Sequence, residues 1–169
     1  MDASGFEPVA ASTAQVLVLG TLPGQESLRR GEYYAHPRNS FWRVIEALFG
    51  IPAGSPYAER ARKLSDAGVA LWDVCAAAHR PGSLDASIRH DSVVPNDFAA
   101  FLGIHPEIKL ICFNGAKAAA LFRKHVRLSG AIRCIDLPST SPAHAAMPFP
   151  DKVGRWSVIR EACENRREA

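Results

Sequence analysis

Val16-Leu17-Val18-Leu19-Gly20-Thr21-Leu22-Pro23-Gly24 is the stretch on which the fold turns. Val16 to Leu19 is apolar without a break, so the segment reads as a strand buried on both sides. Gly20 ends it and a Gly/Pro turn follows directly. Such a strand needs helices on both faces of its sheet, and the rest of the chain supplies the alternation. Phe41, Trp42, Val44, Ile45, Leu48 and Phe49 recur at helical spacing, with Asn39 or Ser40 as N-cap and Gly50 as the stop. Pro56 to Asp66 reads as a second, polar helix, and Val69 to Val74 as the next strand. Pro95 to Leu102 reads as a short helix opened by Asn96 or Asp97. Ile108 to Phe113 is a third strand, and Asn114-Gly115 turns it into a helix running to about Val126. Ile132 to Leu137 is the fourth strand, and an amphipathic helix from Asp151 to about Arg166 closes the chain. The expectation is a three-layer α/β/α sandwich around a four-stranded parallel sheet. It makes one domain over residues 1–169, with residues 1–12 as a partly ordered N-terminal segment.

Composition supports a folded protein: 47% of residues are hydrophobic and 22% charged. No apolar run approaches the roughly 20 residues a helix needs to span a bilayer, and residues 1–12 lack the basic and apolar regions of a signal peptide. A cytoplasmic protein with no membrane partner is the default. The net charge of +3 fits a nucleic-acid binder and a balanced solvated surface equally well. Cys75, Cys112, Cys134 and Cys163 form no C-x-x-C pair, which points to buried, reduced thiols rather than a zinc or iron–sulfur site.

In open parallel sheets ligands bind beyond the carboxyl ends of the strands. That places function in four loops: Thr21 to Asn39, Asp73 to Ile88, Asn114-Gly115, and Pro138 to Ala145. The first opens with a Gly/Pro turn whose backbone N–H groups can face an anion, although a plain turn explains it as well. It continues Tyr33-Tyr34-Ala35-His36-Pro37-Arg38-Asn39-Ser40, which joins stacking surface, charge and a two-way amide; packed rings and an Asn cap are the structural alternative. Asp73, at the end of its strand, is a base, a ligand reader or a loop cap. Ser139-Thr140-Ser141-Pro142-Ala143-His144 has the residues of a nucleophile loop but no G-x-S-x-G elbow, so a phosphate grip through hydroxyls and N–H groups is favoured.

Together these loops resemble the uracil-DNA glycosylase superfamily from about Gly5 to Trp156. Gly20-Thr21-Leu22-Pro23-Gly24 looks like its first motif, and Tyr34 to Trp42 is similar to the matching stretch of the mismatch-specific uracil glycosylases. Gly68 to Asp73 resembles the strand that ends in a base reader. Phe113-Asn114-Gly115 with Ala118 resembles the next strand-to-helix step, and Leu137 to Ala143 looks like the loop that wedges into the duplex. The branch most similar is that of the hypoxanthine-DNA (deoxyinosine) glycosylases. Two departures separate the chain from other branches. Leu22 stands where others carry a water-positioning Asp, Asn or Glu, and Leu137 where the uracil-specific family has a His.

The resemblance implies a monofunctional DNA repair enzyme that acts on double-stranded DNA carrying a deaminated base. It would use no metal or other cofactor and act as a monomer. Asn39 takes the water-positioning, catalytic role. Tyr34, Asp73 and the Gly20, Leu22, Pro23, Gly24 turn form the base pocket. Ser139, Thr140, Ser141, Pro142, His144, His36, Arg38 and Asn114 meet the DNA. Three alternatives stay open: a uracil or broad deaminated-base glycosylase, a non-catalytic lesion sensor, and a nucleotide-binding enzyme using Gly20 to Gly24 for phosphate. Lyase chemistry is not expected, because no Lys lies in the loops and Lys117 sits in the helix after Gly115.

Overall fold

The computed structural model describes residues 2–167; Met1 and residues 168–169 of the expected domain lie outside the described residues. Its centre is a four-stranded parallel sheet in the order β3 (Val69–Asp73), β2 (Val16–Gly20), β6 (Leu110–Asn114), β7 (Arg133–Leu137). β2 lies between β3 and β6, and all five of its residues are buried, as its unbroken apolar run requires. The register pairs Gly20 with Asp73 and Leu19 with Phe113, so the strands finish level and their loops open on one edge.

Two apolar clusters cover the two faces. Val16, Val18, Leu71 and Cys112 pack with Phe41, Ile45 and Leu48 of α2 (Phe41–Phe49), Leu64 of α3 (Tyr57–Asp66), and Trp156 and Ile159 of α6 (Phe149–Arg167). Leu17, Leu19, Ala70 and Phe113 pack with Phe98 and Phe101 of α4 (Phe98–Ile104) and with Leu121 and Phe122 of α5 (Ala116–His125). Three-layer packing is therefore the observed architecture. Helix ends follow the capping rules. Ser40 precedes α2, Gly50 closes it at φ 70°, and the Asp97 side chain accepts the Ala100 N–H. Other boundaries move by a few residues, as frayed ends do.

Three features depart from the sequence reading. The Thr21 to Asn39 segment contains a short helix, α1 (Gln25–Arg30). The Asp73 to Ile88 segment contains β4 (Cys75–His79), which pairs antiparallel with β1 (Asp2–Ser4) and with β5 (Val94–Pro95). This small sheet and a Val9–Leu71 bridge tie residues 2–9 to the domain. Cys134 is exposed, a correction to the expectation of a buried thiol: β7 is the sheet's edge strand, and Arg133, Cys134 and Asp136 face out. Cys75, Cys112 and Cys163 are buried. Among the described residues no helix is long and apolar enough to cross a membrane.

Candidate active site

Beyond the carboxyl ends of β2, β3 and β6 lies a cavity of about 400 Å³, the size of a small-ligand site. Its lining brings together Gly20, Leu22, Pro23, Gly24, Tyr34, His36, Arg38, Asn39, Asp73, Asn114, Ser139, Thr140, Ser141 and Pro142. Each was expected from the sequence. His144 is the exception; it is exposed and does not line the cavity.

Asp73 is buried, 4% exposed, and its Oδ2 has no hydrogen-bond partner among the described residues. Burial pushes its carboxyl up to about 7; the Asp85 charge adds to this and Arg80 opposes it. A Cβ on Gly20 would lie 2.6 Å from Asp73 Oδ1 and 3.0 Å from the Tyr34 hydroxyl. Glycine is thus what lets acid and phenol close over the strand end.

Tyr34 is the one non-glycine residue at positive φ, 57°, among the described residues. Such strain persists where surrounding structure holds it, typically at functional sites. The Ala35 N–H donates to Ser27 Oγ at 3.1 Å, and the Tyr34 ring sits 4.2 Å from that of Phe41. Its hydroxyl is buried and makes no well-formed hydrogen bond among the described residues. Burial raises its pKa, with the Asp73 charge adding and the Asn114 amide opposing. Leu22 is buried and packs into the core while forming cavity wall.

Asn39 both caps and lines. Its Oδ1 accepts the Phe41 N–H at 3.0 Å, which fixes the amide at the mouth of α2. The Ser40 N–H donates to the Thr140 carbonyl at 2.9 Å, locking this segment to the loop after β7. His36 and Arg38 are exposed on the rim.

Asn114 and Thr140, expected at the DNA, are buried and bonded reciprocally: Asn114 Nδ2 donates to Thr140 Oγ1, and the Thr140 N–H to Asn114 Oδ1, both at 2.9 Å. Gly115, at φ 97°, lets this turn approach Ser139 to the distance at which a Cβ would meet Ser139 Cβ at 3.1 Å. Ser139 Oγ accepts the Ser141 N–H, and Ser141 caps a short turn over Pro142–His144.

Thr21, Arg80, Ser83, Leu84 and Asp85 lie within the loops expected to carry function but were not singled out there, and all five line the cavity. Thr21 Oγ1 donates to Asp85 Oδ1 at 2.7 Å, and the Gln25 N–H to Ser83 Oγ at 2.9 Å. A Pro-Gly-Ser turn after a strand was the available signal. Lys152 was also missed. It occupies a buried position of α6, where desolvation lowers its pKa, and its Nζ donates to the His144 carbonyl at 3.1 Å.

A buried acid, an aromatic ring, a fixed amide and a hydroxyl-rich rim around one small cavity suit extrusion of a base from DNA and hydrolysis at its sugar. The comparisons agree. The model of the family described as "Uracil DNA glycosylase superfamily" matches residues 7–158. The chain therefore belongs to the uracil DNA glycosylase superfamily, and as a member of it is a DNA glycosylase, a hydrolase of N-glycosidic bonds. A hypoxanthine DNA glycosylase of Methanosarcina acetivorans is 37% identical over 92% of this chain and 96% of that protein. One from Methanosarcina barkeri is 37% identical over 70% of this chain and 74% of its own length. The solution structure of a candidate uracil DNA glycosylase from Methanosarcina acetivorans superposes with a TM-score of 0.80 at 32% identity. It covers 97% of this chain and 99% of that one.

Proposed function

We propose that this DNA glycosylase removes hypoxanthine, the deamination product of adenine, from double-stranded DNA as a monomer, leaving an abasic site. The observation that carries the reading is the buried Asp73 carboxyl with an unpartnered oxygen in the cavity. Hypoxanthine presents an N1–H at its Watson–Crick edge and adenine does not, so an acceptor here selects the deaminated base. The names of the two Methanosarcina relatives support that choice of base.

The glycosidic carbon is inaccessible in a duplex, so the nucleotide must first leave the stack. Extrusion is cheapest at a mispair such as hypoxanthine opposite thymine. Ser139 and Ser141 meet the DNA backbone, with Pro142 or His144 against the gap in the stack, while Thr140 and Asn114 stiffen the loop. Tyr34 stacks on the extruded base and Asp73 reads its N1–H. Asn39 holds a water against the sugar carbon as the glycosidic bond breaks and its electron pair passes to the base. Water oxygen bonds to carbon, and its proton ends on the base.

The test is alkali-revealed strand cleavage of duplexes carrying hypoxanthine, uracil, xanthine or adenine, with EDTA present. Hypoxanthine is expected to be cleaved fastest and adenine left intact. Binding without cleavage would make the chain a lesion sensor. A second reading takes uracil as the substrate. It is supported by the likeness to the candidate uracil DNA glycosylase of Methanosarcina acetivorans, and uracil's N3–H would meet the same carboxyl. Faster cleavage of uracil than of hypoxanthine would favour it.

A further inference from the structure

Arg80 is the buried cation of the cavity. Its side chain is 2% exposed, whereas Arg38, the other arginine of the lining, lies exposed on the rim. Its guanidinium donates to the carbonyls of Leu22, at 3.4 Å, and of Pro23, so it sits behind the turn that walls the cavity. Nε is buried and has no hydrogen-bond partner among the described residues. The counter-charge is incomplete. Asp85 stands 3.7 Å from Nη1 but is 39% exposed and shares Oδ1 with the Thr21 hydroxyl. Asp73, the other acid of the cavity, is held toward its neutral form by burial. A guanidinium cannot shed its proton, so positive charge persists beneath the turn.

When the glycosidic bond breaks, the base takes both electrons and is anionic until a proton from the attacking water reaches its ring nitrogen. A fixed positive potential in a site shielded from water lowers the energy of that state more than that of the neutral bound base. We propose that Arg80 is a positioning residue for departure of the base: it anchors the Leu22–Gly24 backbone and sets the positive potential under the leaving group. The inference rests on glycosylase activity and is independent of which base is preferred.

The test compares two bases of nearly the same shape but different acidity, hypoxanthine and its more acidic 8-aza analogue, in single-turnover cleavage. The better leaving group needs less help. Arg80→Gln is expected to slow hypoxanthine about tenfold more than the 8-aza base, and Arg80→Lys to restore the wild-type ratio. Asp85→Asn, which removes the counter-charge and leaves Arg80 in place, is expected to move the ratio the opposite way. Equal slowing of both bases by Arg80→Gln would reduce Arg80 to a structural brace and overturn the proposal. If Arg80→Gln does not fold, an unchanged ratio in Asp85→Asn overturns it. If the wild type spares hypoxanthine, the same comparison is made with uracil and its more acidic 5-fluoro analogue. A wild type that cleaves neither pair would bring down the glycosylase activity itself, a result separate from an active enzyme whose ratio does not move.

Discussion

The two halves of the cavity treat their polar groups in opposite ways. Around the ends of β2 and β3, buried polar atoms are left open: Asp73 Oδ2 and Arg80 Nε have no partner among the described residues. Around the ends of β6 and β7 they are closed on one another. Asn114 and Thr140 bond twice, the Trp156 indole donates to the Pro138 carbonyl, and Lys152 to that of His144. A buried polar atom without a partner costs about 1–3 kcal/mol, so a fold keeps several in one place only when something else satisfies them. On the proposed reading, the first half is completed by a substrate, and the second stays rigid while its exposed edge meets one.

Three variants would break or sharpen that contrast. The largest effect is expected for Gly20→Ala, which thrusts a methyl group against the Asp73 carboxylate and the Tyr34 hydroxyl. Misplacing such groups by about an ångström costs on the order of 100-fold in kcat. Single-turnover cleavage should fall by that factor while duplex binding falls far less. Loss of binding and cleavage together would remove the distinction between the halves.

Asp73→Asn is expected to change stability with pH. Because the folded carboxyl titrates near 7 against an ordinary 3.8, the native state holds a proton that the unfolded chain has released between those values. Stability then falls as pH rises through that window and levels off above it. The amide removes this cost, so at pH 8 the variant should melt higher than wild type, and at pH 3.5 it should gain nothing. Parallel melting curves across pH would show that Asp73 is not buried as described.

Asn114→Ala should have the smallest effect on chemistry and act on the other half. It strands the Thr140 hydroxyl and N–H, costing about 1–3 kcal/mol of stability for each group left unpaired. The melting temperature should drop at every pH, with weaker duplex binding but a near-normal rate at saturating enzyme. A selective loss of rate would make Asn114 part of the reacting centre.

How much could be read in advance follows the same division. The parallel sheet was legible because β2 and β6 carry unbroken apolar runs, and α2 because its apolar residues keep helical spacing. The cavity residues on strand ends were legible for the same reason: a strand that can be placed carries its last residue with it, as with Gly20 and Asp73. α1 was not, since Gln-Glu-Ser-Leu-Arg-Arg offers one apolar residue and no period. Nor was β4, whose Ala-rich run has little strand preference and is held by pairing with β1 across more than seventy positions. Arg80 lies just past β4, so the unread strand concealed the residue at its end. Cys134 misled although its strand also carries Arg133 and Asp136, two charges within five residues that mark an edge open to water.

On the proposed reading, Asn39 delivers water to the sugar in a site that binds an extruded hypoxanthine. Single-turnover cleavage of a hypoxanthine duplex by wild type and Asn39→Ala, run beside lesion-binding titrations, tests it most directly. Cleavage by the wild type is expected to fall on the order of 100-fold or more in the variant while lesion binding is retained. Equal loss of binding and cleavage would reduce Asn39 to the cap of α2, and undiminished cleavage would show that another group positions the water.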